Sequence, residues 1–406
     1  MEKTLRTYCF FAAIFMVLGG HARPVNADVR FEFWGDTVVL PLDASIIVPF
    51  DEALTPTAVA AFHTQIMQGN FSTFMDGLLT YKAQKQLDDW LYYQLLRKAA
   101  NTLAPKSANF NRYTLYKWAL LMHSGYDAAV NIYNNQLLLY VQSSSEVFDV
   151  PTYIKNNRQY VCLNVHDFAR ADRPVPGATL YSLNLAGQKN TLPFSYAITR
   201  LPAFTPSVYT EKEIGFTHKN DEWRFKVWVN YEIKNIFTNY PGVNFENYFN
   251  IPMSSLTYKS LIPLIEKITG SMTQEAGVEY IMNFTRYAFA YETDQNNFGK
   301  EKRMAPEETL LSASSDCDDR AALFFYLVKE VYNLPMITVQ FPTHVTIAVH
   351  FAHPVGQAVL YRGRAYTLCE PTPQGTDLAV GKLAPQLLHE SFSVAYAYDP
   401  GAVARK

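Results

Sequence analysis

The stretch from Ser314 to Thr372 constrains the fold more than any other, because it puts a lone cysteine where a polar loop becomes an apolar helix and follows that helix with alternating strands. Ser315 with Asp318, or Asp316 with Asp319, supplies a capping side chain followed three residues later by a carboxylate, which is how helices begin. Ala321, Phe324, Phe325, Val328 and Val331 then recur at helical spacing. Asn333 before Leu334-Pro335 ends the run with a residue that tolerates the left-handed region and one that cannot continue a helix. Downstream, His344-Val-Thr-Ile-Ala-Val-His-Phe alternates as a strand and Gln357-Ala-Val-Leu-Tyr makes a second. A turn at Arg362-Gly363 leads to Ala365-Tyr-Thr-Leu-Cys-Glu-Pro-Thr. The expected outcome is an α+β domain in which a helix packs on an antiparallel sheet.

The same stretch carries chemistry. Cys317 falls in the first helical turn, where unpaired backbone N–H groups and the positive end of the helix dipole favour a thiolate and can cradle an oxyanion. The surrounding aspartates oppose this, since nearby negative charge raises a thiol pKa, so a basic partner is required. Period-two alternation puts Tyr366, Leu368 and Glu370 on one face of the last strand and Thr367 and Cys369 on the other, which lets Glu370 orient a histidine on a neighbouring strand.

In these residues the chain resembles the transglutaminase-like superfamily of papain-like cysteine enzymes, in which Asp-Cys opens a helix, a His opens a strand and Asp-Pro-Thr ends a later strand. Asp316-Cys317, His344 and Glu370-Pro371-Thr372 occur in that order, preceded by the family-like segment Pro306-Glu-Glu-Thr-Leu. The resemblance covers the chain from about Tyr248 onward. Two departures matter: Glu370 stands where the family usually has Asp, and Val-Thr follows His344 where an aromatic residue is common. The resemblance implies Cys317 as nucleophile, His344 as general base and then acid, and Glu370 as the group that holds the imidazole tautomer, with acyl transfer through a thioester. A triad alone does not choose between hydrolysis of a peptide or amide bond, cross-linking by an amine, and retention of the fold as an inactive binding or scaffold protein. A weaker similarity, through the acidic run at Asp318 and Asp319, is to calcium-dependent periplasmic proteinases of the same superfamily. Helix N-terminal charge is the simpler reading of those two aspartates, which leaves a metal undecided. No cofactor is called for.

Each residue has a plainer reading. A single cysteine is more often a small buried hydrophobe than a nucleophile; its place at a capped helix start, with His and Glu in family order, favours the catalytic reading here. His350 shares the strand face of His344 and is the second choice of base. His350 and His353 also form a His-x-x-His pair, but it straddles a strand end with no carboxylate or cysteine nearby and is a weak metal signal.

The beginning of the chain points to a compartment. Lys3 and Arg6 precede the apolar run Tyr8-Cys-Phe-Phe-Ala-Ala-Ile-Phe-Met-Val-Leu, and Val25-Asn-Ala27 fits a cleavage site, with Gly20-His-Ala22 as second choice. Residues 1–27 therefore read as a secretory signal peptide, exporting the chain across the inner membrane to the periplasm. The run is short for a membrane span, and no later segment is long and apolar enough to be one. Cleavage would remove Cys9 and leave Cys162, Cys317 and Cys369, an odd number, so at least one thiol stays free, with a Cys162–Cys369 bridge left open.

With a formal charge of −2 and no basic run, the chain lacks the electrostatic footprint of a nucleic-acid binder. The expected partner is a peptide or protein, with a cell-envelope component the natural case for an exported enzyme. A 49% hydrophobic chain of 406 residues is long enough for two or three cored units. Residues 28–167 read as an N-terminal α+β domain, with a long helix from Leu79 through Leu96, a second through Tyr113-Thr-Leu-Tyr-Lys-Trp, then three strands. That order repeats the order around Cys317. Matching Gly125 to Asn333 sets Asn109 against Cys317, Gln136 against His344 and Asn164 against Glu370. The first unit then reads as a degenerate copy of the transglutaminase-like fold, with coincidence of a common element order as the alternative. Residues 168–245, with Arg173-Pro-Val-Pro-Gly as linker and three alternating runs, read as a β-sandwich-like module, and residues 246–406 as the transglutaminase-like domain.

Overall fold

The structure is a computed structural model that describes residues 27–51, 53–169, 181–182, 191–298 and 301–403. The leader through residue 26 and the turn-rich Arg173–Gly177 lie outside the described residues. Among those described, no helix is long and apolar enough to cross a membrane.

The mixed α+β character expected from the sequence holds throughout. The chain opens with a hairpin, β1 (Ala27–Phe33) and β2 (Asp36–Leu42), followed by α1 (Pro56–Gln68), α2 (Ser72–Lys85), α3 (Asp89–Leu103) and α4 (Phe110–His123). Strands β3 (Ala128–Tyr133), β4 (Gln136–Gln142), β5 (Val147–Phe148), β6 (Thr152–Lys155), β7 (Arg158–Cys162) and β8 (Tyr181–Ser182) complete the first half. The second half begins with another hairpin, β9 (Tyr209–His218) and β10 (Asp221–Asn230), then α5 (Glu232–Phe237), β11 (Gly242–Val243), α6 (Phe245–Phe249), α7 (Ser255–Thr269) and α8 (Gln274–Tyr287). The parallel pair β12 (Ala290–Tyr291) and β13 (Ser314–Ser315) brackets α9 (Asp294–Phe298) and α10 (Pro306–Leu311). Helix α11 (Cys317–Tyr332) leads into β14 (Met336–Gln340), β15 (Val345–Val349), β16 (Ala358–Tyr361), β17 (Arg364–Cys369) and β18 (Ser393–Tyr398).

Each half thus runs hairpin, helices, then a five-stranded antiparallel sheet, and the two sheets have one topology. The strand order is β6-β7-β4-β3-β8 in the first and β16-β17-β15-β14-β18 in the second. The registers agree as well: Ala128↔Val141 stands where Met336↔Val349 stands, Val141↔Val161 where Val349↔Thr367 stands, and Lys155↔Arg158 where Tyr361↔Arg364 stands. Gly125 (φ 91°) and Asn333 (φ 50°) close the two equivalent helices in the left-handed region, the conformation that favours Gly and Asn.

One hydrophobic core runs through both halves, joining Phe33, Trp90 and Tyr116 to Phe284, Phe325 and Val349. In the second sheet Val345, Ile347, Val349 and Cys369 face this core, while Ala348, Tyr366 and Leu368 face a smaller one closed by Leu378, Ala384 and Leu387. The alternation read from the sequence is the cause of this two-sided burial.

Two expectations are corrected. The long helix from Leu79 is two helices, broken where Gln86 adopts φ 52°. The break frees Asp88 to accept from Thr199 N (2.6 Å) and Asp89 to accept from Ser195 N (3.0 Å), which pins the crossing segment to the first half. The described residues of 168–245 also form no sandwich. Their one long pairing is the β9–β10 hairpin, packed on α7 and α8. The alternating run Pro193–Ile198 does not join it: Phe194 bridges Ser143, and its apolar side chains stack on Tyr93, Trp90 and Tyr240.

Candidate active site

The start of α11 is fixed by its own aspartates. Asp316 is the N-cap: its carboxylate accepts from Asp318 N (3.1 Å) and Asp319 N (3.3 Å), while Asp319 accepts from Asp316 N (3.4 Å). Of the two capping pairs read from the sequence, the structure uses Asp316 and Asp319. Cys317 is the first helical residue, partly exposed, whereas Cys162 and Cys369 are buried and all three thiols are free. Cys317 Sγ lies 3.5 Å from Asp318 Oδ1 and within reach of the Val345 amide, the residue after His344.

His344 sits at the turn from β14 to β15, held there by the bond from Phe341 N to its carbonyl (2.8 Å). Its Nε2 is 2.8 Å from Glu370 Oε2 at the end of β17. Glu370 is 1% exposed, and its second oxygen accepts from Thr372 N (2.9 Å). This bond ties the carboxylate to the backbone just past the strand end. Arg286, 2% exposed on α8, donates from Nε to the Glu370 carbonyl (3.1 Å) and from Nη1 to Asp377 (2.6 Å). Because Glu370 engages Nε2, Nδ1 is the ring nitrogen left to exchange a proton.

The electrostatics pull in two directions. Burial pushes the Cys317 thiol up, Asp318 and Asp316 push it further, and the Val345 amide opposes them only in part. Burial alone would lower His344, but the hydrogen bond and charge of Glu370, with Asp318 and Asp316 behind it, raise it above the ordinary imidazole range. The thiol is therefore held in its neutral form, while His344 is a stronger base than a free imidazole.

Behind the thiol, Asp294, Asp316 and Asp319 set one oxygen each within 4.8 Å of one another. Burial raises Asp294 to about 6, with Glu301 and Asp318 adding to it, and also raises Asp316 and Asp319, which repel each other. Such oxygens are the type a hard cation takes. Asp318, which the sequence groups with Asp319, turns instead to Arg303 (3.2 Å). His350 is occupied by the Ala365 carbonyl (2.9 Å), and neither it nor His353 joins a metal-like cluster among the described residues. A groove of about 620 Å³ lies elsewhere, against Arg224 and Tyr287, and contains none of the three residues.

Sequence reasoning missed Arg286 and Asp294. Only Arg286 left a signal, as a lone cation on the apolar face of a helix that also carries Val278, Ile281 and Met282. In the first half two of the three equivalent positions, Asn109 and Asn164, have structural duties. Asn109 caps α4 and donates to Phe50 O (2.5 Å), while Asn164 accepts from Leu139 N (2.8 Å) and donates to Leu137 O (2.9 Å). The chain at Val48–Phe50 covers the start of α4, with Arg112 donating to Val48 O (2.9 Å). No family model matches this chain, and no curated protein or solved structure matches it significantly.

Proposed function

We propose that this protein is a thiol-dependent acyl-transfer enzyme, a cysteine peptidase or amidase of the transglutaminase-like kind, acting on peptide or protein substrates at the bacterial cell envelope. The observation that carries the reading is the 2.8 Å bond between His344 Nε2 and Glu370 Oε2, made beside a helix whose first residue is Cys317. His344 Nδ1 takes the thiol proton as sulfur attacks the acyl carbon, and the carbonyl electron pair moves to oxygen. Collapse of that adduct expels the amine, which leaves with the proton from His344. Water, activated by the same nitrogen, then releases the acid. The basic and apolar leader supports export to the periplasm.

Mass spectrometry after treatment with p-nitrophenyl acetate tests this. The expected result is a single acetyl group on Cys317, lost with time and absent in Cys317→Ala. No acetylation of Cys317 would defeat the proposal. Incorporation of a labelled primary amine, in place of release of the acid, would move it to a cross-linking transglutaminase. The inactive scaffold keeps one observation in its favour, the raised thiol. It predicts an inert Cys317 and a cellular role that survives Cys317→Ala.

A further inference from the structure

Glu370 stands one residue beyond the last pair of the β15–β17 ladder, Ile347↔Cys369, so the ladder does not hold it. A side chain from α8 does. Arg286, in the last turn of that helix, donates from Nε to the Glu370 carbonyl (3.1 Å) and from Nη2 to the same oxygen and to Leu378 O (2.9 Å). Its Nη1 reaches Asp377 (2.6 Å) and Asn283 Oδ1 (3.3 Å). One guanidinium thus fixes the strand end that carries Glu370.

Arg286 is itself held from the other side. The last carbonyls of a helix lack partners within it, and those of α8 are met by Arg320, fully buried on α11. Its Nη1 donates to Arg286 O (2.5 Å) and Thr285 O (3.3 Å), its Nη2 to Phe289 O and Ala290 O (2.9 Å each), and its Nε to Ser315 O (3.4 Å) at the entry to α11. Arg320 is three residues after Cys317, hence on the same helix face. A continuous chain of bonds therefore runs from the helix of the thiol through Arg320 and Arg286 to Glu370, and from its carboxylate to His344. Burying two guanidiniums is costly, and what their rigid forks supply is the fixed placement of backbone from separate elements. We infer that Arg286 and Arg320 are positioning residues, which together set Glu370, and with it the His344 imidazole, against the Cys317 end of α11.

The inference rests on the acyl-transfer reading, in which thiol and base come from different elements and a shift of about 1 Å between them can cost about 100-fold in rate. Two readouts separate the inference from that reading: the His344 titration followed by NMR, and Cys317 acylation by p-nitrophenyl acetate. In Arg286→Met the His344 titration should fall to lower pH, because Glu370 no longer holds its place, and acylation should slow about 10- to 100-fold. Arg286→Lys, which keeps the charge but not the fork, should recover part of both. Should Arg286→Met fail to fold, Asp377→Ala removes an exposed carboxylate that holds the same guanidinium, and should shift both readouts the same way by a smaller factor. A folded Arg286→Met, or in its place Asp377→Ala, with a native His344 titration would overturn the positioning role, whatever its acylation rate. Failure of the native protein to acylate would instead sink the acyl-transfer reading, while the His344 titration still reports whether Arg286 places Glu370.

Discussion

At the end of β17, Glu370 is held to the backbone and to His344 at once. The carboxylate is held by Thr372 N and by its imidazole partner, and its carbonyl by Arg286. Since the folded His344 pKa is raised, the charged pair stabilises the protein fully below the ordinary imidazole value, and that contribution is lost as pH rises through the raised one. In Glu370→Gln the His344 titration followed by NMR should fall to lower pH, and Cys317 acylation should slow about 100-fold or more. An unmoved His344 titration would disconnect the two residues. Asp294 follows the same pH trend for a different reason: burial disfavours its charged form, so its raised pKa costs stability as pH climbs from about 4 through about 6. Asp294→Asn should therefore raise the melting temperature at pH 7.5 by an amount corresponding to about 1 kcal/mol, once solvent screening is allowed for, and by little at pH 4. A variant less stable at pH 7.5, with the loss growing on addition of a divalent ion, would instead mean that the carboxylates share a cation.

At the scale of elements, the buried acid Glu307 ties three of them together. Its carboxylate accepts from Asn230 N (3.0 Å), Ser254 N (2.6 Å) and Thr257 Oγ1 (2.5 Å), joining α10 to the end of β10 and the start of α7. Glu307→Ala leaves those buried donors unpaired and should cost about 3 kcal/mol in denaturant unfolding. A loss under 1 kcal/mol would show that water replaces the carboxylate. Much of this region was legible in the sequence: the caps of α11, its buried stripe, its left-handed end at Asn333 and the alternation of β15 and β17 are local signals, each set by neighbours in sequence. The break at Gln86 was not, because apolar spacing continues across it and the reason for it, the grip of Asp88 and Asp89 on residues 195–199, is a long-range contact. Arg286 and Asp294 escaped for the same reason. The strands expected to form a sandwich were real alternations, but the run Pro193–Ile198 found its partners in the first half while β9 and β10 paired with each other and packed on α7 and α8.

Across the whole molecule, two halves repeat a hairpin, a set of helices and a five-stranded sheet with matching strand order and register. The pairing of Asn109, Gln136 and Asn164 with Cys317, His344 and Glu370, drawn from an ungapped match and one short insertion, is also the one that the two registers require. Asn164 keeps a structural duty, so Asn164→Ala should cost about 2 kcal/mol of stability and leave the reactivity of Cys317 unchanged. One core and the bond from Trp90 Nε1 to Ile236 O (2.9 Å) join the halves. Calorimetry is expected to give one cooperative transition, and two well-separated transitions would contradict a shared core.

The central claim is that His344 is the base for Cys317, and the measurement that tests it most directly is the rate of iodoacetamide alkylation across pH 5 to 9, with the modified cysteine located by mass spectrometry, in the native protein and in His344→Ala. The account predicts modification confined to Cys317 while the protein stays folded, and a rate at pH 7 that drops about tenfold or more in the variant. Identical rates in the two proteins, or a Cys317 as unreactive as the buried Cys162 and Cys369, would contradict it.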